Sequence, residues 1–494
     1  MGSCRVGVGG GRSTGDLWDN TTCGEGRAAT SSARLGAEKG WRVPTTASPA
    51  EQDKVRELQR TLYRAAKADP GRRFHALYDK VYRRDVLERA WEQVRRNRGA
   101  AGIDQTTIDD VERYGVSRLL DELAADLKSG SWRPLPARRV WIDKPGTSEQ
   151  RPLSIPAVRD RIVQAALKIV IEPVFEADFL PCSFGFRPKR AQQDALQVLI
   201  DEAWDGNRWV VESDVASCFE EIPHSGLMQA IEERICDRHI LKLVRAMLRA
   251  GVMEDGQVHD SETGTPQGGV ASPLLANVYL HRLDRAWQTE GVGRLVRFAD
   301  DLIVMCSTRQ EAEQALGALR SILAGLGLRL KESKTRIVHL KEEGEGVDFL
   351  GFHHRWVRAK SKRHQHVQFL ARWPSDKAMQ RARDRLRELT DRRRLSLPVE
   401  DIVQDINRFL RGWANYFRYG NSARHFDKIG NYALMRLARV VAKRHHRAWG
   451  FGWTVVIYQS ADQLGLINLT GTVVAPRPHR PWREKPNAGG ERRR

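Results

Sequence analysis

Two kinds of apolar spacing alternate along the chain, and the point where one of them stops divides it. Val55, Leu58, Leu62 and Ala65 recur at every third or fourth position, the period of one buried helix face. The same period predicts helices over residues 86–96, 108–127, 160–175, 191–204, 225–235, 241–250, 273–283 and 310–326. Between them lie short apolar, partly β-branched runs of strand length, at 138–143, 151–155, 208–213, 294–298, 302–306, within 329–340, and at 347–352. Strands interleaved with helices predict an α+β fold whose sheet is covered on one face. After Phe369 the strand-like runs stop. Val399, Ile402, Val403, Ile406, Leu410, Trp413 and Phe417 keep one helical stripe; Phe426, Ile429, Tyr432, Ala433, Leu437 and Val440 keep another. With residues 376–392 they predict a three-helix bundle.

Both ends lack a pattern. Residues 1–50 are rich in Gly, Ser, Thr and Ala and read as a disordered leader, and from Pro476 the chain is Pro- and Arg-rich and reads as a loose tail. No internal repeat is visible, and 494 residues allow about three or four domains.

Charge narrows the partners. The net charge is +20, and residues 355–494 hold 31 Lys and Arg against 11 Asp and Glu, so everything before them is neutral. A neutral body with a basic C-terminal third suggests a polyanion, most simply nucleic acid. Cysteines 4, 23, 182, 218, 236 and 306 are scattered with no Cys-x-x-Cys pair. That argues against a disulfide framework or a Cys-based zinc site and fits a reducing, cytoplasmic setting. No apolar run reaches the ~18 residues of a membrane span, and the N-terminus lacks a signal core.

The candidate chemistry centres on residues 293–307, GRLVRFADDLIVMCS. Two apolar runs joined by a tight polar corner predict a β-hairpin with Asp300 and Asp301 at or beside its turn. A bare Asp-Asp says little: Asp109-Asp110 opens an ordinary helical pattern. The second pair differs in its company. Asp214 ends another apolar run, and the turn GTPQGG, residues 264–269, lies between them. Three carboxylates from separate strands suit a hard divalent cation such as Mg²⁺, which takes few protein carboxylates and leaves room for phosphates. Such a pair of ions serves phosphoryl transfer, which needs charge neutralisation and alignment more than covalent help. Phe219, five positions after Asp214, is either a core aromatic or a steric gate at a sugar 2′ position. Lys144 and Arg151 flank a turn and are either solvated charges or triphosphate ligands. Gln267 sits where Gly264, Gly268 and Gly269 let backbone approach an incoming base pair or template. Lys334, read as lying on the strand after the hairpin, either reaches phosphates or lines the surface. His353-His354, His364 with His366, and His445-His446 lie among Arg and Lys and read as nucleic-acid contacts or exposed polar positions rather than metal ligands. Trp413, Tyr416, Phe417 and Tyr419 read as packing residues.

The order of blocks resembles that of group II intron-encoded reverse transcriptases, or maturases, over residues 55–480. NRGAAGID (97–104) resembles the family's N-terminal extension block, and RPLSIPAVRDRIVQAAL (151–167) and CSFGFRP (182–188) its fingers blocks. SDVASCFEEIPH (213–224), GTPQGGVASPLLANVYL (264–280), RFADD, LRLKESKT (328–335) and VDFLGF follow in family order, and RGWANYFRYG (411–420) resembles the maturase block. The resemblance implies a right-hand polymerase: N-terminal extension and fingers over 51–205, a palm with an antiparallel sheet over 206–354, a helical thumb over 370–450 and a basic C-terminal segment over 451–494. It implies an RNA-directed DNA polymerase that copies an RNA template from a DNA primer with dNTPs, using Mg²⁺, with Mn²⁺ able to substitute, and that helps group II intron RNA to splice. It implies that Asp214, Asp300 and Asp301 bind the metals and that Phe219 gates the sugar. Lys144, Arg151 and Gln267 would attend the nucleotide and template, and Lys334 the triphosphate. Two departures stand out. Phe298 replaces the usual Tyr, which should alter primer contacts or fidelity more than chemistry. The Cys- and His-bearing endonuclease module of some members has no counterpart, so second-strand cleavage is not expected of this chain. The alternatives are a domesticated defence or repair reverse transcriptase, and an RNA-binding splicing factor with an idle polymerase site. Abundant Arg, Ala and Gly point to a bacterial host with a GC-rich genome.

Overall fold

In the computed structural model, which describes residues 49–143, 150–254, 257–259, 263–264, 268–359 and 366–474, the strand-length runs form three sheets. The strands are β1 (Ala137–Asp143), β2 (Gln150–Ile155), β3 (Trp209–Asp214), β4 (Val252–Glu254), β5 (Gln257–His259), β6 (Arg294–Phe298), β7 (Asp301–Cys306), β8 (Arg336–His339), β9 (Val347–Phe349), β10 (Phe352–Arg358) and β11 (Gln368–Pro374). The first sheet has the order β2-β1-β4-β5, the central one β6-β7-β3-β8, and the third β11-β10-β9. Every pairing in the central sheet is antiparallel.

The central sheet is buried on both faces, which corrects the one-sided expectation. Val211, Leu295, Leu302 and Val304 join the core shared with the N-terminal helices, whereas Val210, Val296, Ile303, Met305 and Val338 join the core shared with the C-terminal helices. Two-sided burial is why residues 302–306 read as an unbroken apolar run rather than an alternating one. Helices Ser272–Glu290 and Arg309–Gly325 belong to the first core, and Gln192–Trp204 to the second.

The predicted helix over 108–127 is two helices, Ile108–Tyr114 and Val116–Ser129, broken at Gly115, whose φ of +106° a side chain would resist. Asp110 closes a capping box with Thr107, so this Asp pair is structural. The VDFLGF stretch is not one strand: Leu350 and Gly351, with φ of +50° and +76°, turn β9 back into β10. β10 and β11 escaped the sequence pattern because polar residues hold inward positions. His354 and Arg372 are register partners, and neither is exposed. The C-terminal helices Asp376–Leu389, Val399–Phe417 and Ala423–Arg444 pack as the predicted bundle, with Ile402, Ile406, Leu410, Phe426, Ile429 and Leu437 buried between them. No described helix is long and apolar enough to cross a membrane.

Candidate active site

The hairpin forms where the sequence places it. β6 and β7 pair from Arg294↔Met305 to Phe298↔Asp301, leaving Ala299 and Asp300 as a two-residue turn. Ala299 has φ +59°, a left-handed conformation that suits a tight hairpin turn. On the other side of β7, Asp214 ends β3 directly opposite Asp301. Residues opposed in an antiparallel pair send side chains to one face, with Cβ atoms roughly 5 Å apart. The N–H of Val215 donates to the Asp300 carbonyl at 3.0 Å, which ties the turn to the end of β3.

The electrostatics follow from this crowding. Burial, reinforced by the charges of Asp300 and Asp214, pushes the Asp301 carboxyl up to about 7. Burial and then Asp214 raise Asp300 as well. Lys334 donates to Asp214 Oδ2. Burial alone would lower the Lys334 ammonium, but its hydrogen bond and charge contact with Asp214 hold it above the ordinary lysine value. Lys334 lies in a 3₁₀ turn, Glu332–Lys334, just ahead of β8 rather than on a strand. Among the described residues no three His, Cys, Asp or Glu side chains enclose an ion by themselves. The donor set still fits Mg²⁺: two facing carboxylates with a third in the turn, mutual repulsion that a cation would relieve, and a buried Asp214 Oδ1 without a hydrogen-bond partner.

The other candidates divide. Phe219 is half-buried in the short helix Cys218–Glu221 and packs on the first core. A Cβ on Gly264 would lie 3.0 Å from the Phe219 carbonyl oxygen and 2.8 Å from that of Glu220, so the glycine-rich turn rests on the Phe219 segment. At its other end a Cβ on Gly268 would lie 2.6 Å from the Ser154 carbonyl oxygen of β2, the strand that carries exposed Arg151. Gly264 and Gly268 thus lie against the helix of Phe219 and the strand of Arg151 respectively. Lys144 and Gln267 lie outside the described residues, as does His364. His353 donates from Nδ1 to Asp348 Oδ1 at 2.7 Å, and His354 is fully buried rather than exposed. Trp413 and Phe417 are buried as expected, and Tyr416 donates to the Leu350 carbonyl at 2.9 Å. Phe298 is half-buried against the second core.

A brace behind the turn was missed. Arg297, unexposed, donates to Asp284 at 2.6 and 2.7 Å, to Ser183 Oγ at 2.8 Å, to Asn277 Oδ1 at 3.0 Å and to the Ala299 carbonyl at 3.1 Å. The loop around Ser183 adds to β6 through Phe184 N–H to Arg297 O at 2.9 Å and Arg297 N–H to Cys182 O at 2.8 Å. Asn277 also holds the Gly185 carbonyl at 2.7 Å, and Gly185 lies against the Ala299 backbone. The available signal was Asn277 and Asp284, seven apart on the helix face that also carries Leu280 and Leu283, with an Arg inside a largely apolar strand.

Comparison with known proteins agrees with this geometry. The family "Reverse transcriptase (RNA-dependent DNA polymerase)" matches residues 142–354, and "Group II intron, maturase-specific domain" matches residues 379–456. The chain is 32% identical to Protein YkfC of Escherichia coli (strain K12) over 367 residues, 66% of this chain and 93% of that protein. It is 38% identical to Group II intron-encoded protein LtrA of Lactococcus lactis subsp. cremoris over 214 residues, 43% of this chain and 35% of that protein. It is 29% identical to Nuclear intron maturase 4, mitochondrial, of Arabidopsis thaliana over 215 residues, 43% of this chain and 25% of that protein. The match therefore spans nearly all of one relative and about a third or less of the other two. With a reverse transcriptase match over the aspartate-bearing sheet and a maturase match over the basic bundle, the chain belongs to the group II intron-encoded reverse transcriptases, the RNA-directed DNA polymerases that carry a maturase domain.

Proposed function

We propose that Asp214, Asp300 and Asp301 hold two Mg²⁺ ions at which the chain extends a DNA primer along an RNA template. The observation that carries this is the facing of Asp214 and Asp301 across β3 and β7 with Asp300 in the adjoining turn. When bound, the metal pair activates a primer 3′-hydroxyl and neutralises the leaving pyrophosphate. The protein's share is alignment. Lys334 leaves Asp214 for the triphosphate, Arg151 with Lys144 meets the phosphates from the side of β2, and the ring of Phe219 closes against the sugar 2′ position. Gln267, between the two anchored glycines, follows the base pair. Phe298 keeps the hairpin's packing and withholds one hydroxyl from the primer side. The regions around 51–205, 206–354 and 370–450 then act as fingers, palm and thumb, and the basic thumb holds intron RNA during splicing. Primer extension on an RNA template with Mg²⁺, repeated with Mn²⁺, tests the reading. Activity in the wild type and its loss in Asp300→Ala are expected; equal activity in both would remove the assignment.

The basic bundle favours one further role. An RNA-holding factor that assists splicing should keep that function when the aspartates are removed, so splicing by Asp300→Ala separates the two activities.

A further inference from the structure

Around the C-terminal end of helix Ala423–Arg444, far along the chain from the aspartates, a groove of about 450 Å³ opens between that helix and residues 390–395. Its floor is apolar, with Leu395, Met435, Val440 and Ala442. Its rim carries Arg392, Arg436, Arg439, Lys443 and Arg447, and no described lining residue is a carboxylate. Arg436, Arg439 and Lys443 repeat at three and four residues, so they stand in one row along the helix. Arg436 is tethered, donating to Thr390 Oγ1 at 2.8 Å and to the Thr390 carbonyl at 3.2 Å. Arg439, Lys443 and Arg447 are exposed, and no described carboxylate pairs with them. Asp391, beside the groove in sequence, accepts from the N–H of Arg393 at 3.0 Å instead.

A helix C-terminus attracts cations through its dipole, but that effect fades within the last turn. It accounts for Lys443, and the hydrogen bonds to Thr390 account for Arg436, which leaves Arg439 unexplained. The mouth also carries Trp449, 48% exposed, stacked on Trp453 at 5.3 Å between ring centres, with Phe451 39% exposed nearby in sequence. Large exposed aromatics beside Arg439, Lys443 and Arg447, which no described carboxylate pairs, are the ingredients of a stacking platform for unpaired nucleotides. A duplex presents phosphates but keeps its base faces covered, so it would use the cations and ignore the indole.

We propose that this groove is a subsite for an unpaired nucleotide of a bound RNA, its base against Trp449 and the apolar floor and its flanking phosphates on Arg439, Lys443 and Arg447. The proposal deepens the intron-RNA role of the basic bundle and rests on that part of the reading alone. Its lining shares no residue with the aspartate site, which makes it an anchor for RNA that is not being copied.

The test uses the full chain with excess unlabelled template–primer present to fill the polymerase cleft. The probe is a short fluorescein-labelled single-stranded oligoadenylate, titrated across a range of salt. Trp449→Ala should weaken binding about tenfold, and Trp449→Phe should restore most of it. Arg439→Gln with Lys443→Gln should lower the log–log salt slope by about 1.4, two phosphates at ~0.7 each for a single strand. A fully paired RNA probe should respond to the charge variants and not to Trp449→Ala. Unchanged affinity and slope in the charge variant, or no response to Trp449→Ala, would overturn the proposal. Primer extension by the wild type reads the polymerase assignment separately, so a failure there leaves the groove's result standing and the reverse.

Discussion

Arg297 and Asp284 face each other with neither side chain exposed, joined through hydrogen bonds of 2.6 and 2.7 Å. Arg297 also holds the Ala299 carbonyl, so the pair fixes the turn that carries Asp300. Arg297→Met strands a buried carboxylate, and a stability loss of about 3–5 kcal/mol is expected in denaturant unfolding. Adding Asp284→Leu removes that stranded charge and should recover much of the stability. It does not restore the donor to Ala299, so primer extension by the double variant should stay below wild type. Recovery of both properties would mean that the pair only fills space.

Gly185 offers a second way to move the same turn. A Cβ there would lie 2.4 Å from the Ala299 nitrogen and 2.9 Å from the Phe298 carbonyl carbon, both backbone atoms that cannot swing aside. Gly185→Ala should displace the turn and cut single-turnover extension by on the order of 10²-fold, the usual cost of an ångström at a reacting centre. Gly430→Ala, in a helix with no atom within 4 Å of the new methyl, is the control and should leave extension intact.

Asp301 supplies a pH signature. Its carboxyl ionises at about 7 in the fold against an ordinary 3.8. Between those values the native state keeps a proton that the unfolded chain has lost, so metal-free stability falls as pH rises through the window. Asp301→Asn removes that loss. In EDTA the variant should melt above wild type at alkaline pH and converge with it at acidic pH, while losing primer extension. Mg²⁺ should narrow the gap by stabilising the wild type alone. Identical melting curves at every pH would contradict the crowding of carboxylates.

His354 predicts the opposite slope. Burial, then the neighbouring Arg372, brings its imidazole down to about 3 from 6.5. Below 6.5 the unfolded chain takes up a proton that the native state refuses until about 3, so stability is full above that window and is lost as pH falls. His354→Phe should flatten this part of the acid dependence, read as urea midpoints on descending from neutral pH. The slope is the diagnostic, since the variant shifts absolute stability through packing as well.

The parts legible in the sequence were those set by neighbours along the chain. The β6–β7 hairpin announces itself through two apolar runs and a two-residue corner, and the stripes of the bundle through their period. The Asp214–Asp301 facing was inferable because Asp214 closes one apolar run and Asp301 opens another, ends that antiparallel pairing brings opposite. Arg297 was only faintly legible: it shares a strand face with Leu295, but nothing nearby in the chain shows what would cover it. It is buried because the chain around Ser183 covers the edge of β6, a contact more than a hundred residues distant in sequence. β10 and β11 were lost for a related reason, since His354 and Arg372 occupy the positions where the period demands apolar residues. The one-sided sheet was a misjudgement of a visible cue, because Leu302–Cys306 contains no polar residue to face water.

Lys334 rests on Asp214. At the metal site we propose, loading would then exchange one positive group for another. The ammonium set loose by that exchange stays on its short turn beside β8, within the same neighbourhood, at the moment a polyphosphate would enter. On the function proposed above, lack of a divalent cation would leave the site dormant, and its arrival would engage the acids and release the lysine in a single event.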